Sequence, residues 1–163
     1  MLFLDVTAGN RMMWKNKRHP LFVYMDKNEH SKIPPDIVGV WEHLPFRDNM
    51  FETAFFDPPH KFNRKSGFWA DPKSPNYYGA DIRREKLASG IYHGTRELLR
   101  VAKRLCFKWC DDEISLQRIL SLFPQAWREI NRWCDNKVRA HGNFTWWITL
   151  IRGSLSTLNE SVK

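Results

Sequence analysis

Short apolar runs separated by polar stretches dominate the pattern of this chain. Four runs within the first 57 residues have the length and composition of buried strands. They are 2–6, 21–26, 36–40 and 51–57. Two later runs, 104–109 and 144–152, also predict strands, the second because it is rich in aromatic and β-branched residues. Apolar residues at helical spacing predict one helix between Asp81 and Lys103 and another within 113–124.

This order of elements predicts a single α/β domain. Strands that alternate with helices or short crossovers favour a Rossmann-like, mostly parallel central sheet with helices on both faces. We expect the last strand to run antiparallel in the edge region of that sheet. The chain has 163 residues, which is enough for one domain with a proper core. We assign the domain to 1–153 and a C-terminal tail to 154–163.

Charge and composition narrow the class of partner. The formal net charge is +8 and 14% of the residues are aromatic, which favours a polyanionic partner such as nucleic acid. No apolar run reaches the roughly 20 residues that span a bilayer, so membrane insertion is excluded. Three cysteines form no even disulfide framework, and a reducing cytoplasm is the simplest compartment. They are Cys106, Cys110 and Cys134.

The ends of the predicted strands are the places to look for a ligand site, because parallel sheets bind ligands at their carboxyl ends. The first strand ends in LDVTAGN, whose single glycine, Gly9, does not make the GxGxxG phosphate fingerprint of dinucleotide sites. The second strand ends in Asp26, where a carboxylate can accept both hydroxyls of a ribose. Ribose without pyrophosphate suggests an adenosyl ligand. The plainer alternatives are an exposed turn acid at Asp26 and an ordinary turn glycine at Gly9.

The fourth strand ends in an unusual way, with Asp57 followed by two prolines and a histidine. Proline lacks the backbone N–H that a strand ladder needs, so Pro58 and Pro59 must lie beyond the last paired residue. Asp57 is therefore left at the strand tip, beside a stiff backbone that fixes its carboxylate and the nearby carbonyls. Such a cluster of acceptors is preorganised, although an acidic turn after a buried strand is the simpler reading.

The pieces in this order resemble the class I S-adenosylmethionine-dependent methyltransferases. Within that family they are most similar to small phage- and prophage-type members related to amino-methylating nucleic-acid enzymes. The similarity covers nearly the whole chain and is carried by FLDVTAGNRMMW, by Asp26, by HLPFRDNMFETAFFDPPH and by RLCFKW. It implies S-adenosylmethionine as cofactor. The residues it implies for cofactor binding are Asp5, Thr7, Ala8, Gly9, Asn10, Asp26, Lys27, Trp41, Glu42, His43 and Asp57.

One position departs from the family pattern. Val40 stands where relatives usually carry an acid that grips the adenine amine. Glu42 and His43 are the candidate substitutes for that acid, and Trp41 is a candidate to cover the adenine ring.

The resemblance also assigns the catalytic motif, Asp57, Pro58, Pro59 and His60. An exocyclic amine conjugated to a base ring is a poor nucleophile until its lone pair is drawn out of conjugation. Asp57 and the carbonyl of Pro58 can each accept one of its hydrogens and steer the nitrogen toward a sulfonium methyl. His60 replaces the more usual tyrosine or phenylalanine, and we expect it to stack on a flipped base. A surface loop histidine is the alternative.

A basic segment follows the motif. Between Lys61 and Arg104 there are eleven Lys and Arg against four Asp and Glu, an excess of seven positive charges. Within it, 62–79 is predicted to be a mobile substrate loop that combines charge with stacking faces. Its predicted nucleic-acid contacts are Lys61, Arg64, Lys65, Phe68, Trp69 and Tyr78. A surface loop with solvated charges and aromatics packed on the core is the alternative.

Other chemistries find less support in the sequence. No histidine pair has the spacing of a metal site, and Cys106 and Cys110 lack the partners of a zinc site, so no metal is predicted. No cysteine lies near the motif to act as a nucleophile on a base carbon. The sequence does not show whether Lys108, at the end of the fifth predicted strand, faces the crevice.

The predicted function is methyl transfer to an amino group of a nucleic-acid base, with adenine in DNA or RNA favoured. Two alternatives stay open: methylation of a protein or small-molecule amine, and a non-catalytic nucleic-acid-binding module. No segment is left over for sequence recognition, which predicts weak specificity, a homodimer or an accessory specificity subunit.

Overall fold

The computed structural model describes residues 1–60, 84–111, 114–135 and 144–153. In these residues seven strands form one sheet, with two helices packed against it. The strands are β1 (Phe3–Asp5), β2 (Phe22–Asp26), β3 (Ile37–Val38), β4 (Phe51–Phe56), β5 (Ala102–Cys110), β6 (Trp127–Asp135) and β7 (Thr145–Arg152). The helices are α1 (Arg84–Val101) and α2 (Leu116–Leu120). The predicted substrate loop, 62–79, and the tail, 154–163, lie outside the described residues.

The sheet has the strand order β3-β2-β1-β4-β5-β7-β6. Neighbouring strands from β3 to β5 are parallel, and β7 is antiparallel to both of its neighbours. The prediction of a mostly parallel sheet with one antiparallel strand near the C-terminus is thereby confirmed. This strand, β7, lies in the edge region as expected, with β6 paired to its outer side.

Strand β6 is the outermost strand on this side and was not predicted. Its residues from Arg128 to Trp133 are exposed, so the segment has no apolar alternation to indicate a strand. Its pairing with β7 also carries an irregularity between Glu129 and Asn131. Backbone pairing to β7, rather than burial of its own side chains, makes this segment a strand.

One face of the sheet carries the main core and both helices. Side chains that alternate along the strands, such as Leu4, Phe56 and Phe107, are buried on this face. Helix α1 is fixed there by the Trp127 indole, whose Nε1 donates to the carbonyl of Thr95 at 2.9 Å. After α2 the ring of Phe123 packs edge-on against Phe107, with centroids 4.9 Å apart.

The opposite face is covered by the segment between β1 and β2, which contains no helix. Trp14 packs on Phe22 and Phe55, with ring centroids 4.5 and 4.8 Å apart. Arg11 stacks over Tyr24, 3.9 Å from its ring centre. The sequence predicts helices on both faces, whereas both described helices lie against the first face. On the second face, side chains from the loop between β1 and β2 cover the sheet in place of a crossover helix.

The helix predictions need adjustment at their ends. The first, placed between Asp81 and Lys103, is observed as α1, and β5 starts directly after it at Ala102. The second, placed at 113–124, shrinks to the five residues of α2, capped by the side chain of Ser115. None of the helices described is both long and apolar enough to cross a bilayer.

Candidate functional site

The loop after β1 is bonded directly to the acid that ends β2. The backbone N–H of Gly9 donates to Oδ2 of Asp26 at 2.8 Å, and that of Asn28 donates to Oδ1 at 2.8 Å. Gly9 has φ +46°, a left-handed conformation that favours glycine, and a Cβ there would meet nothing within 4 Å. The turn therefore presents bare backbone to open space beside a carboxylate.

The end of β4 joins the same loop. The backbone N–H of Asp57 donates to Oγ1 of Thr7 at 2.8 Å, and that of Val6 donates to the carbonyl of Phe55 at 3.1 Å. The structure thus brings Gly9, Asp26 and Asp57 to one edge of the sheet, at the carboxyl ends of three parallel strands. The roles assigned to these residues stay predictions.

Asp5 is a buried carboxyl directly behind this edge. Its Oδ2 accepts from Nε1 of Trp14 at 2.7 Å and its Oδ1 accepts from the backbone N–H of Thr7 at 3.2 Å. Burial raises the pKa of Asp5 to about 7, against the opposing effect of these hydrogen bonds. Asp5 therefore shapes the loop through Trp14 and Thr7, whatever contact it makes with a ligand.

Asn10 offers a further sign of a ligand at this loop. It is buried, and its Oδ1 finds no hydrogen-bond partner within the described chain. A buried acceptor without a donor costs free energy, on the order of 1–3 kcal/mol. A donor group of a bound molecule would satisfy it. Ala8, in the same loop, is also buried, and its backbone N–H donates to the carbonyl of Met25.

The predicted adenine-contacting residues are split between the core and the surface. Trp41 is 9% exposed and packs against Phe56, with ring centroids 5.5 Å apart. Its indole lies so close to α1 that a Cβ at Gly94 would be 2.5 Å from its Cδ1. Its Nε1 is buried and unpaired within the described residues. Trp41 is thus a core residue, and its contact with adenine stays a prediction.

The neighbours of Trp41 differ in exposure. Glu42 points toward α1, where a Cβ at Gly90 would be 2.9 Å from its Oε1. His43, Val40 and Lys27 are exposed. Glu42 is therefore the partly buried acid of this segment.

The motif residues after Asp57 are buried. Pro58, Pro59 and His60 are all buried, and the His60 ring makes an edge-on contact with Trp109, with centroids 6.1 Å apart. Stacking on a flipped base requires one face of the His60 ring to be uncovered, whereas the ring is buried here. The stacking role of His60 therefore stays a prediction. The predicted nucleic-acid contacts between Lys61 and Tyr78 lie outside the described residues.

Lys108 is a site residue that sequence reasoning did not assign. Its Nζ contacts Oδ2 of Asp57 at 2.5 Å. The strand pairing accounts for this contact, because Phe56 pairs with Phe107 and the next residues along the two strands are Asp57 and Lys108. Without the register of β4 on β5 this proximity could not be read from the sequence.

Burial makes Cys106 a poor nucleophile. All three cysteines are free, and burial raises the pKa of the Cys106 thiol to about 11. A thiol with that pKa is protonated at neutral pH and is a poor nucleophile. Cys110 is buried, whereas Cys106 and Cys134 are half-buried. Across the described ranges, no three His, Cys, Asp or Glu side chains cluster as metal ligands.

A cavity of about 410 Å³ lies away from this edge, beside β2 on the face covered by Trp14. Its walls include Phe22, Tyr24 and the buried Arg11, whose guanidinium donates to the carbonyls of Lys17 and Pro34 and to Asp36. The two terminal nitrogens of the guanidinium are thereby bonded to the chain itself, whereas its buried Nε finds no partner in the described residues. The role of Arg11 is to hold the loops on either side of β2 together.

Comparisons with known proteins give the fold. No protein-family model matches the chain, and no curated protein matches it significantly. A SAM-dependent methyltransferase from Methanosarcina mazei superposes with a TM-score of 0.56 at 10% identity, over 93% of this chain and 92% of that one. The cyclase SpnF gives 0.54 at 11% identity, over 93% and 74%.

A third solved structure is a nucleic-acid enzyme. The 16S rRNA (adenine(1408)-N(1))-methyltransferase from Catenulisporales acidiphilia superposes with a TM-score of 0.52 at 12% identity, over 94% of this chain and 86% of that one. At such identities the likeness establishes the fold, which is the Rossmann-like fold of class I methyltransferases. The presence of a cyclase among these structures shows that this fold carries more than one chemistry.

Proposed function

We propose that this chain is an S-adenosylmethionine-dependent methyltransferase that modifies an exocyclic amino group of a nucleic-acid base, with adenine in DNA or RNA favoured. One observation carries the proposal: the ends of β1, β2 and β4 are tied together at a single edge. The ties are the hydrogen bonds from Gly9 to Asp26 and from Asp57 to Thr7. We place the chain with the small phage- and prophage-type, amino-directed members that its motifs resemble.

The residues at this edge fit an adenosyl cofactor. Asp26 would hold the ribose hydroxyls, and the segment from Thr7 to Asn10 would hold the methionine part, with Asn10 Oδ1 accepting from its amino group. S-adenosylmethionine, when bound, supplies an electrophilic methyl group whose C–S bond breaks as the acceptor nitrogen forms the new C–N bond and S-adenosylhomocysteine leaves. Open space at Gly9 allows the close approach of such a ligand.

Asp57 would prepare the acceptor amine. Its carboxylate accepts one N–H and the carbonyl of Pro58 accepts the other, which directs the nitrogen lone pair out of conjugation with the base ring. After transfer the nitrogen carries a positive charge and releases one proton to Asp57 or to solvent. Asp57 is 21% exposed in its side chain, so an incoming amine can reach it.

The choice of a nucleic-acid base rests on charge. The excess of seven positive charges between Lys61 and Arg104 favours a phosphate-bearing partner. One of the structures that share the fold is named as an rRNA adenine methyltransferase. Weak sequence specificity, a homodimer or an accessory specificity subunit, and a reducing cytoplasm complete the proposal.

Calorimetry with S-adenosylmethionine tests the cofactor site. We expect saturable heat, and Asp26→Asn should weaken the affinity by about tenfold because it removes the charge that the ribose hydroxyls meet. Asp48→Asn is the matched control, since Asp48 precedes β4 at the opposite end of the sheet and is ion-paired with Arg100. No heat with the wild-type chain would leave a non-catalytic binding module as the function.

Mass spectrometry of nucleosides tests the acceptor. After incubation with the cofactor and mixed DNA and RNA, we expect a new methylated adenine nucleoside. Cofactor binding without any methylated nucleoside, together with methylation of peptide or small-molecule amines, would move the function to the alternative acceptor class.

A further inference from the structure

A lysine neutralises the acid at the centre of the proposed site. Nζ of Lys108 lies 2.5 Å from Oδ2 of Asp57, and both side chains are 21% exposed. The contact is therefore partly shielded from water, where a charge pair is stronger than on an open surface.

Three adjacent strands build this pair. Asp57 follows the last residue of β4, and Lys108 is the neighbouring position on β5. Lys108 in turn pairs with Trp147 on β7, and its Nζ lies 5.5 Å from the centre of the indole ring. A cation over an indole face is held by the negative potential of the ring. The ammonium is thus fixed from two sides by strand register.

We propose that Lys108 is a positioning and specificity-determining residue, which neutralises Asp57 and so selects an uncharged, conjugated amine over an alkylammonium. This inference rests on the proposed function, because it concerns the acceptor at the same site. Since the ammonium occupies Oδ2, the acceptor amine donates to Oδ1. Lys108 fixes the carboxylate in the orientation that makes this possible.

The selection follows from elementary electrostatics. An alkylamine has a pKa near 10.4 and is protonated at neutral pH, so it would be drawn to an isolated carboxylate. A carboxylate already paired with an ammonium offers no net charge, and the ammonium repels a second cation. The amino group of a base is uncharged at that pH and needs only a hydrogen-bond acceptor. The pair therefore favours the base amine over a lysine side chain or a polyamine.

Three substitutions at Lys108 separate the effect of charge from the effect of packing. Lys108→Met and Lys108→Gln remove the charge at similar length, so at least one is expected to fold, and Lys108→Arg keeps the charge. Lys103→Met is the matched control, because Lys103 lies on the same strand at its other end and pairs with Glu52. Unfolding free energies establish that each variant is folded.

Binding of n-butylammonium is read from the ¹H–¹⁵N signal of the Trp147 indole, which requires no methyl transfer. We expect affinity to be at least about tenfold higher in Lys108→Met or Lys108→Gln than in the wild type, Lys108→Arg and Lys103→Met. Methyl transfer to an adenine-containing oligonucleotide should show kcat lowered by about 10- to 100-fold in the neutral variants, with KM within about twofold. Lys108→Arg should recover most of that kcat.

A folded neutral variant that still excludes n-butylammonium, or that transfers methyl groups at the wild-type kcat, would overturn the inference. If the wild-type chain methylates nothing, the proposed function fails, while the butylammonium titration still decides whether Lys108 excludes cations.

Discussion

The two ends of the central sheet differ in how completely their charged and polar groups are hydrogen-bonded within the chain. At the amino end Arg100 donates five hydrogen bonds, to Glu97, to Asp48 and to the carbonyls of Leu44 and Phe46. These partners raise the pKa of Arg100, with the Glu97 carboxylate contributing most. The network ties the end of α1 to the loop that leads into β4. Every donor position of this arginine serves the fold.

At the carboxyl end the acceptors are in excess. Asp26 and Asp57 each receive bonds from the chain, yet both stay partly exposed, and the buried Asn10 Oδ1 finds no donor in the described residues. Asp5, behind them, has a pKa raised to about 7 by burial. A buried acceptor without a donor and a buried carboxyl both lower stability. Such costs are common where a protein binds a ligand. The contrast shows that the charged groups at the amino end are paired within the fold, and it supports the proposal that the carboxyl end binds a molecule.

The largest expected effect is at Asp57. Asp57→Asn keeps the shape of the side chain but removes the charged acceptor, so methyl transfer should fall by about 1,000-fold. Cofactor affinity measured by calorimetry should change by less than about twofold. Asp48→Asn, at the other end of β4, should leave turnover unchanged. Equal turnover of Asp57→Asn and the wild type, measured by mass spectrometry of nucleosides, would reject the role assigned to Asp57.

The next effect is a pH dependence of stability at Asp5. Its pKa is raised from 3.8 to about 7. Between these two pH values the folded state keeps a proton on Asp5 that the unfolded state has released. The stabilisation by this proton is complete below about pH 4 and is lost as the pH rises through about 7, by up to ~4 kcal/mol. Asp5→Asn cannot titrate, so its unfolding free energy relative to the wild type should improve between pH 4.5 and 7.5. A difference that does not vary with pH would contradict the raised pKa.

At the amino end, the expected effect is on stability and not on binding. Arg100→Met removes five hydrogen bonds and should lower the free energy of unfolding by about 2–3 kcal/mol, a value kept modest because the side chain is 32% exposed. Cofactor affinity should be unchanged. Arg96→Met, one turn earlier on α1 and exposed, is the control and should change stability by less than about 0.5 kcal/mol. A similar loss in both variants would remove the special role of the Arg100 network.

Much of the fold could be predicted because most of its strands are largely buried and read as apolar runs. The runs at 21–26 and 51–57 became β2 and β4 with little change at their ends. Strand β6 could not be predicted in this way, because its exposed side chains follow no apolar alternation and the segment is a strand through its backbone pairing with β7. The covering of the second face by Trp14 and Arg11 was equally hidden, since tertiary contacts made by a loop leave no periodic signal.

The candidate site was predictable as far as it depends on strand ends. Pro58 marked the end of β4, and Asp26 marked the end of β2, so topology alone brings their neighbours to one edge. Lys108 was not predictable, because its distance from Asp57 depends on the register between two strands separated by α1. The burial of Trp41 under α1 was also not predictable, because it depends on two glycines in a helix sequence that gives no sign of what packs there.

The smallest expected effect is on stability and concerns Gly90 and Gly94, which let α1 pack closely against Trp41 and Glu42. Gly94→Ala would place a Cβ 2.5 Å from Cδ1 of Trp41, an indole that is enclosed in the core and cannot withdraw. Gly90→Ala would meet Oε1 of Glu42 at 2.9 Å, the far end of a flexible side chain, and Nε1 of Trp41 at 3.2 Å. Both variants gain the same helix propensity, up to about 1 kcal/mol, so their difference reports the closer approach to Trp41 in Gly94→Ala. Denaturant unfolding should show Gly94→Ala less stable than Gly90→Ala by about 1–2 kcal/mol, whereas equal stabilities would mean that Trp41 is free to move away from α1.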